Sequence, residues 1–130
     1  MRVLAFSDLH RDKDAARAIV AASVEADVVI GAGDFATKRE GLMDTLDILR
    51  DSPAPMIFVH GNHDDADAVE AACKTQDHWH YLQGNECAIG DQIFFGIGGE
   101  IPATNDASWN TSMSEDGGMR LMRECPVGSI

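Results

Sequence analysis

Short apolar runs alternate with amphipathic stretches along the first half of the chain. Val3-Leu4-Ala5-Phe6, Val28-Val29-Ile30 and Met56-Ile57-Phe58-Val59 are continuous and rich in β-branched or aromatic residues. That is the pattern of strands buried on both faces. Between the first two runs, Ala16, Ile19, Val20 and Val24 recur at helical spacing, which predicts an amphipathic helix from about Asp12 to Glu25. Thr37-Lys38-Arg39-Glu40 has the form of a capping box and predicts a second helix from there to Arg50, with Leu42, Leu46 and Leu49 on its apolar face. Ser52-Pro53-Ala54-Pro55 ends it, because proline lacks an N–H and clashes with the preceding turn. Asp64 is placed to cap a third helix running to about Ala72.

From Trp79 the character changes. Tyr81-Leu82, Glu86 to Ile89 and Gln92 to Ile97 read as short strands separated by Gly84-Asn85 and Gly90-Asp91, which predicts an antiparallel meander. A polar loop follows Gly98-Gly99 as far as Thr111. Ser112-Met113-Ser114-Glu115 is a second capping box, opening a helix that Pro126 terminates, and Val127 to Ile130 reads as the opening of a further strand. Alternating strands and helices followed by the meander imply an α/β fold: parallel β-α units first, antiparallel strands after.

At 130 residues the chain is the size of one domain and long enough to bury a core. An apolar fraction of 45% and a charged fraction of 25% are those of a soluble globular protein. The net charge of -12 excludes strong non-specific nucleic-acid binding, which needs clustered Lys and Arg against phosphates. Cys73, Cys87 and Cys125 are odd in number and far apart, so they read as reduced thiols. With no signal-like leader and no apolar stretch of membrane-spanning length, the expected location is the cytoplasm, with no membrane partner.

The candidate chemistry lies where the three predicted parallel strands end. Asp8-Leu9-His10, Gly33-Asp34 and Gly61-Asn62-His63-Asp64 each follow an apolar run, and ligands of open α/β sheets bind beyond the carboxyl ends of strands. Each cluster alone has a plain structural reading, as a helix cap or a tight turn. Their order in successive β-α units favours a shared site. Carboxylate, imidazole and carboxamide donors suit Mn²⁺ first, with Fe or Zn²⁺ as alternatives, and two such ions can clamp a phosphoryl group. Asp8 and His10 are spaced to hold one ion, Asp34 is the natural bridging carboxylate, and Asn62 offers a neutral oxygen to the second ion. His63 can face the leaving group, since its pKa lies near working pH. Asp64 and His60 are candidates for supporting roles around these ligands. His78-Trp79-His80 precedes the predicted hairpins and reads as the entry to a strand. Trp109 and Asn110, in the polar loop, are candidates to line a substrate mouth.

These blocks resemble the first three signature blocks of the calcineurin-like metallophosphoesterases. Gly96-Ile97-Gly98-Gly99-Glu100-Ile101-Pro102 and Glu124-Cys125-Pro126 also resemble stretches in small prokaryotic members. The resemblance implies the N-terminal portion of an αββα sandwich and a dinuclear site. Asp8 and His10 would bind the first ion, Asp34 would bridge, Asn62 would bind the second, and His63 would assist the leaving group as the catalytic residue. It implies hydrolysis of a phosphodiester or of a phosphorylated small molecule. Gly33-Asp34-Phe35-Ala36 lacks the Asp-Arg-Gly extension of the protein-phosphatase branch, and the GNHD block departs from GNHE in the same direction. The later histidine blocks of the family have no candidates beyond residue 80. Residues 1–130 therefore read as one such domain, incomplete at its C-terminal end. The alternative is a non-catalytic scaffold of the same fold, or an inactive fragment without the later ligands. No feature of the sequence specifies an oligomeric state.

Overall fold

The computed structural model describes residues 1–130. Its elements are β1 (Val3–Phe6), α1 (Lys13–Ser23), β2 (Val28–Ala32), α2 (Met43–Leu49), β3 (Met56–Val59), α3 (Ala66–Cys73), β4 (Trp79–Tyr81), β5 (Asn85–Ile89), β6 (Gln92–Gly96) and α4 (Glu115–Met122). Strands β1 to β4 form one sheet in sequence order, every pair parallel. β5 and β6 form a separate antiparallel pair.

Because side chains alternate across a strand, the two faces of the parallel sheet carry different residues. Val29, Met56, Phe58 and Trp79 face the helices, packing with Leu46, Leu49, Val69 and Phe35 into the larger core. Val28 and Ile57 face the other way and pack with Leu82 and Phe94 beneath the antiparallel pair. Helices, parallel sheet and antiparallel pair thus stack as the N-terminal portion of the expected sandwich. Phe58 is fully buried and bridges the helix-side core, with Phe35 at 5.5 Å and Trp79 at 4.7 Å between ring centroids. No helix is long and apolar enough to cross a membrane.

Several boundaries differ from the sequence pattern. α1 begins as expected: the Asp12 side chain caps it by accepting from Asp14 N and Ala15 N. The Thr37–Glu40 box caps nothing. It forms a tight turn closed by a Thr37–Glu40 bridge, and α2 begins only at Met43. Lys38 and Arg39 adopt φ of 51° and 68°, and Gly41 follows at 72°; that left-handed run is incompatible with a right-handed helix. α3 is capped by Asp65, which accepts from Ala68 N, and Asp64 is used elsewhere.

The predicted meander is shorter than expected. β4 is a fourth parallel strand beside β3, because Trp79 is drawn under α3 and onto Phe58. Only the β5–β6 hairpin is antiparallel, turning at Gly90-Asp91 with Gly90 at φ 60°. α4 is capped by Ser114, whose Oγ accepts from Gly117 N at 3.2 Å, so the box at Ser112 is two residues early. α4 ends at Met122, ahead of Pro126. Val127 to Ile130 forms no strand, although Ile130 exchanges two backbone hydrogen bonds with the β6 edge, to Ile93 O at 2.9 Å and from Phe95 N at 3.0 Å.

Candidate metal centre

Loops leaving the carboxyl ends of β1, β2 and β3 close on one another. The first two are zipped together by backbone hydrogen bonds from Asp8 N to Gly33 O (3.1 Å), His10 N to Asp34 O (2.9 Å) and Arg11 N to Phe35 O (3.0 Å). To make these bonds, Asp8, His10, Arg11 and Asp34 take φ of 56°, 43°, 71° and 57°. For residues with a Cβ this left-handed region costs about 1 kcal/mol or more each, and such strain gathers at functional sites. The third loop lies directly against the second. A Cβ on Gly33 (φ 90°) would come within 2.6 Å of Gly61 Cα, and one on Gly61 would collide with the Asp34 carboxylate. Both positions need glycine so that the backbones can touch.

One buried carboxylate fastens the second and third loops. Asp64 is fully buried, with Oδ2 accepting from Asp34 N and Gly61 N and Oδ1 from Ala36 N, all at 2.8 Å. Burial pushes its pKa up, while the N–H donors of Ala36, Gly61 and Asp34 pull against that shift. Its place is under the loops, holding Asp34 in position.

Above that clasp, Asp8, His10 and Asp34 converge. His10 Nδ1 lies 3.1 Å from Ala36 O. A carbonyl only accepts, so the neutral ring carries its proton on Nδ1 and keeps its Nε2 lone pair free, the usual orientation of a metal-binding imidazole. That Nε2 lies 3.8 Å from Asp8 Oδ1 and 3.8 Å from Asp34 Oδ2. This is too long for hydrogen bonds. Bonds of about 2.0–2.2 Å to one ion place two ligand atoms about 3–4 Å apart, so His10 is spaced to share a cation with either carboxylate, but the compact group of ligand atoms takes in Asp34 and leaves Asp8 outside. Asp34 Oδ1 is occupied by His63 N–H at 2.9 Å, which leaves Oδ2 as the oxygen turned to the cluster. Asp8 Oδ2 accepts from Ser7 Oγ.

His63 completes the group, with ligand-type atoms of His10, Asp34 and His63 within 4.8 Å of one another. Its ring meets His10 edge-on at 4.7 Å. Here the hydrogen bonding runs the opposite way: Lys38 N–H donates to His63 Nδ1 at 3.0 Å. The neutral ring must then carry its proton on Nε2, with no lone pair left for an ion and one N–H to give. The electron pairs thus separate two histidines that spacing alone treats alike.

Lys38, Arg39 and Thr111, none of them a site candidate from the sequence, also lie around His63. The Thr37–Glu40 turn wraps it, with Arg39 N donating to His63 O at 2.7 Å. The Arg39 guanidinium reaches Trp109 O (3.0 Å) and Thr111 Oγ1 (3.1 Å), and Thr111 Oγ1 in turn donates to Asp64 O. Trp109 lies over the His63 ring at 4.5 Å, and Lys38 Nζ is 5.7 Å from the indole centroid. Trp109 therefore lies beside the His10–Asp34–His63 group. Asn62 donates from Nδ2 to Asn110 Oδ1 at 3.0 Å, and its own Oδ1 accepts nothing from the protein.

His60 is turned away from the cluster. It is buried, its Nδ1 is 2.8 Å from Tyr81 Oη, and burial lowers its pKa. The backbone at Gly98 packs against it, so tightly that a side chain there would strike the ring at 2.6 Å. His78 and His80, before and on β4, lie outside the cluster.

A family model described as the calcineurin-like phosphoesterase superfamily domain matches residues 1–113. The crystal structure of TT1561 of Thermus thermophilus is similar in fold, with a TM-score of 0.69 at 20% sequence identity. The match covers 94% of this chain and 62% of that one, so the chain spans less than two thirds of the length of this structural relative. No curated protein matches the sequence.

Proposed function

The chain belongs to the calcineurin-like phosphoesterase superfamily, and from that premise we propose that it hydrolyses a phosphodiester or a phosphorylated small molecule with the help of two divalent ions. The observation that carries the reading is the orientation of His10. Its Nδ1–H is anchored on Ala36 O, and its free Nε2 stands 3.8 Å from carboxylate oxygens of both Asp8 and Asp34. Asp8, His10 and Asp34 would hold one ion; Asp34 Oδ2 and Asn62 Oδ1 would hold the other. Mn²⁺ suits these donors, and Fe or Zn²⁺ would also fit. Such ions, when bound, polarise phosphoryl oxygens and lower the pKa of water.

The remaining steps belong to the chain itself. With Lys38 N–H holding Nδ1, the neutral His63 ring has its Nε2–H to give and would supply a hydrogen bond to the leaving oxygen. Trp109, packed on the His63 ring, would hold the ring plane. Lys38 and Arg39 bring two of the ten basic side chains of this acidic protein to the site's edge, where they favour an anionic substrate.

The test is Mn²⁺-dependent release of p-nitrophenol from bis(p-nitrophenyl) phosphate and p-nitrophenyl phosphate. Asp34→Asn is expected to lower kcat at least a hundredfold. Retention of full metal-dependent turnover by that variant would reject the bridging assignment.

The second reading is a module of the same fold that binds metal incompletely and does no chemistry. The specific observation in its favour is that His, Cys, Asp and Glu side chains supply one compact group here, His10, Asp34 and His63, and the hydrogen bonding removes His63 from the ligands. Elemental analysis after Mn²⁺ loading separates the two readings: two ions per chain supports the enzyme, and one or none supports the module.

A further inference from the structure

Asn62 can serve an ion only through its carbonyl oxygen, yet a carboxamide has two nearly isosteric ends. The side chains bonded to it decide which end is left free to serve an ion. Asn62 Nδ2 donates to Asn110 Oδ1 at 3.0 Å. Asn110 Nδ2 donates to Glu100 Oε2 at 2.7 Å and also to Asn105 O at 3.1 Å. Both of those acceptors lack a proton to give, so the Asn110 amide has one allowed orientation. Its oxygen must face Asn62, and the Asn62 amide must answer with its nitrogen. Asn62 Oδ1 is left without a protein partner.

Glu100 is itself held ionised and in place. Thr104 donates to it twice, from Oγ1 to Oε1 at 2.7 Å and from N to Oε2 at 2.8 Å. The Thr104 hydroxyl, then the Asn110 amide, then the Thr104 backbone N–H hold its pKa below the ordinary glutamate value. The backbone keeps the three residues in register: Thr111 N donates to Asn62 O at 2.9 Å and Glu100 N to Thr111 O at 3.1 Å. The relay thus runs from a half-buried carboxylate on one loop to a candidate ligand on another, 48 residues away along the chain at its Asn62–Asn110 step.

Resting on the metal reading above, we infer that Glu100 and Asn110 are positioning residues that fix the polarity of the Asn62 amide, so that its oxygen is presented to the second ion before that ion arrives. Supporting hydrogen bonds of this kind typically change metal affinity by about 10–100-fold. The relay's function depends on polarity, not charge. In Glu100→Gln the amide oxygen can take the place of Oε2, and the Thr104 hydroxyl can turn to accept from the new NH₂.

The experiment is calorimetric titration of the full chain with Mn²⁺, comparing wild type, Asn110→Leu and Glu100→Gln, alongside the ¹⁵N–¹H side-chain signals of Asn62 in ion-free protein. In wild type the Asn62 NH₂ should show one proton shifted by its hydrogen bond. Asn110→Leu should remove that shift and weaken the weaker of two binding events about tenfold, with the tighter event unchanged. Glu100→Gln should restore wild-type behaviour on both measures. Equal weakening of both events in Asn110→Leu would point to general loop damage and overturn the inference. So would a single binding event, or a pair, left unaltered by the substitution, or a Glu100→Gln protein as impaired as Asn110→Leu. A wild-type chain that binds no Mn²⁺ while keeping the shifted Asn62 signal would instead reject the metal reading, and this inference with it.

Discussion

Asp64 shows how one residue can couple the loops of a site without touching its chemistry. Its two oxygens accept from three backbone N–H groups drawn from the loops after β2 and β3. An asparagine of the same shape has one acceptor oxygen, and its NH₂ would face at least one of those donors. Hydrogen bonds to a buried charged group are worth about 1.5–3 kcal/mol, and an unsatisfied buried donor adds about 1–3 kcal/mol more. Asp64→Asn is therefore expected to destabilise the chain by about 3 kcal/mol in urea melts and to loosen Asp34. A midpoint shift worth under about 1 kcal/mol would show that the loops are held by something else. The sequence motif contains this residue but misplaces its work. Asp64 and Asp65 stand side by side at a helix start, and either could serve as the cap by pattern alone. Burial decides: Asp65 takes the exposed cap, and Asp64 turns inward to the three donors.

At the level of elements, the β-α alternation and the strand ends are readable from hydrophobic periodicity, because a strand buried on both faces needs a continuous apolar run, as in β3; β1 has the same run, yet Val3 and Ala5 on it are exposed, against the expectation. The exceptions fall where tertiary contacts outweigh local preference. Thr37-Lys38-Arg39-Glu40 has the residues of a helix start, but its backbone is claimed by His63, through Lys38 N to Nδ1 and Arg39 N to the carbonyl. Left-handed lysine and arginine have no signature in a sequence. Trp79 likewise moves β4 into the parallel sheet by burying itself on Phe58, a contact no turn signal encodes. Relays such as Asn62–Asn110 are invisible for the same reason, since they join loops far apart in the chain. The turn carries its own prediction. Arg39 pins the loop before α4 through Trp109 O and Thr111 Oγ1, so Arg39→Ala should free that loop from the site. Limited proteolysis between Ile101 and Trp109 should quicken several-fold, with the global melting temperature changed by only a few degrees. Unchanged cleavage would mean that the Asn62 and Glu100 contacts hold the loop alone.

For the whole molecule, the dominant quantity is a net charge of -12 on 130 residues. Self-repulsion at that charge works against the compact state, and the site makes it locally worse, because Asp8, Asp34 and Asp64 converge within three loops whose backbones are already strained. A fold that keeps uncompensated carboxylates and left-handed residues together is trading stability for a preformed site. Divalent cations would relieve that repulsion while binding only the folded chain. At an ion concentration a hundred times Kd, binding to the native state alone adds about 2.7 kcal/mol, which for a domain of this size raises the melting temperature by about 10 °C. Thermal melts in chelator and in Mn²⁺ should differ by that order. Asp34→Asn should remove the difference. In chelator, the variant should melt at or above wild type, because an asparagine oxygen can still accept from His63 N–H while one negative charge leaves the cluster. Opposite signs for stability and metal response in one substitution are what a site built from strain and like charge demands. An Asp34→Asn chain that kept the full Mn²⁺ shift would show that the cation binds elsewhere on the acidic surface.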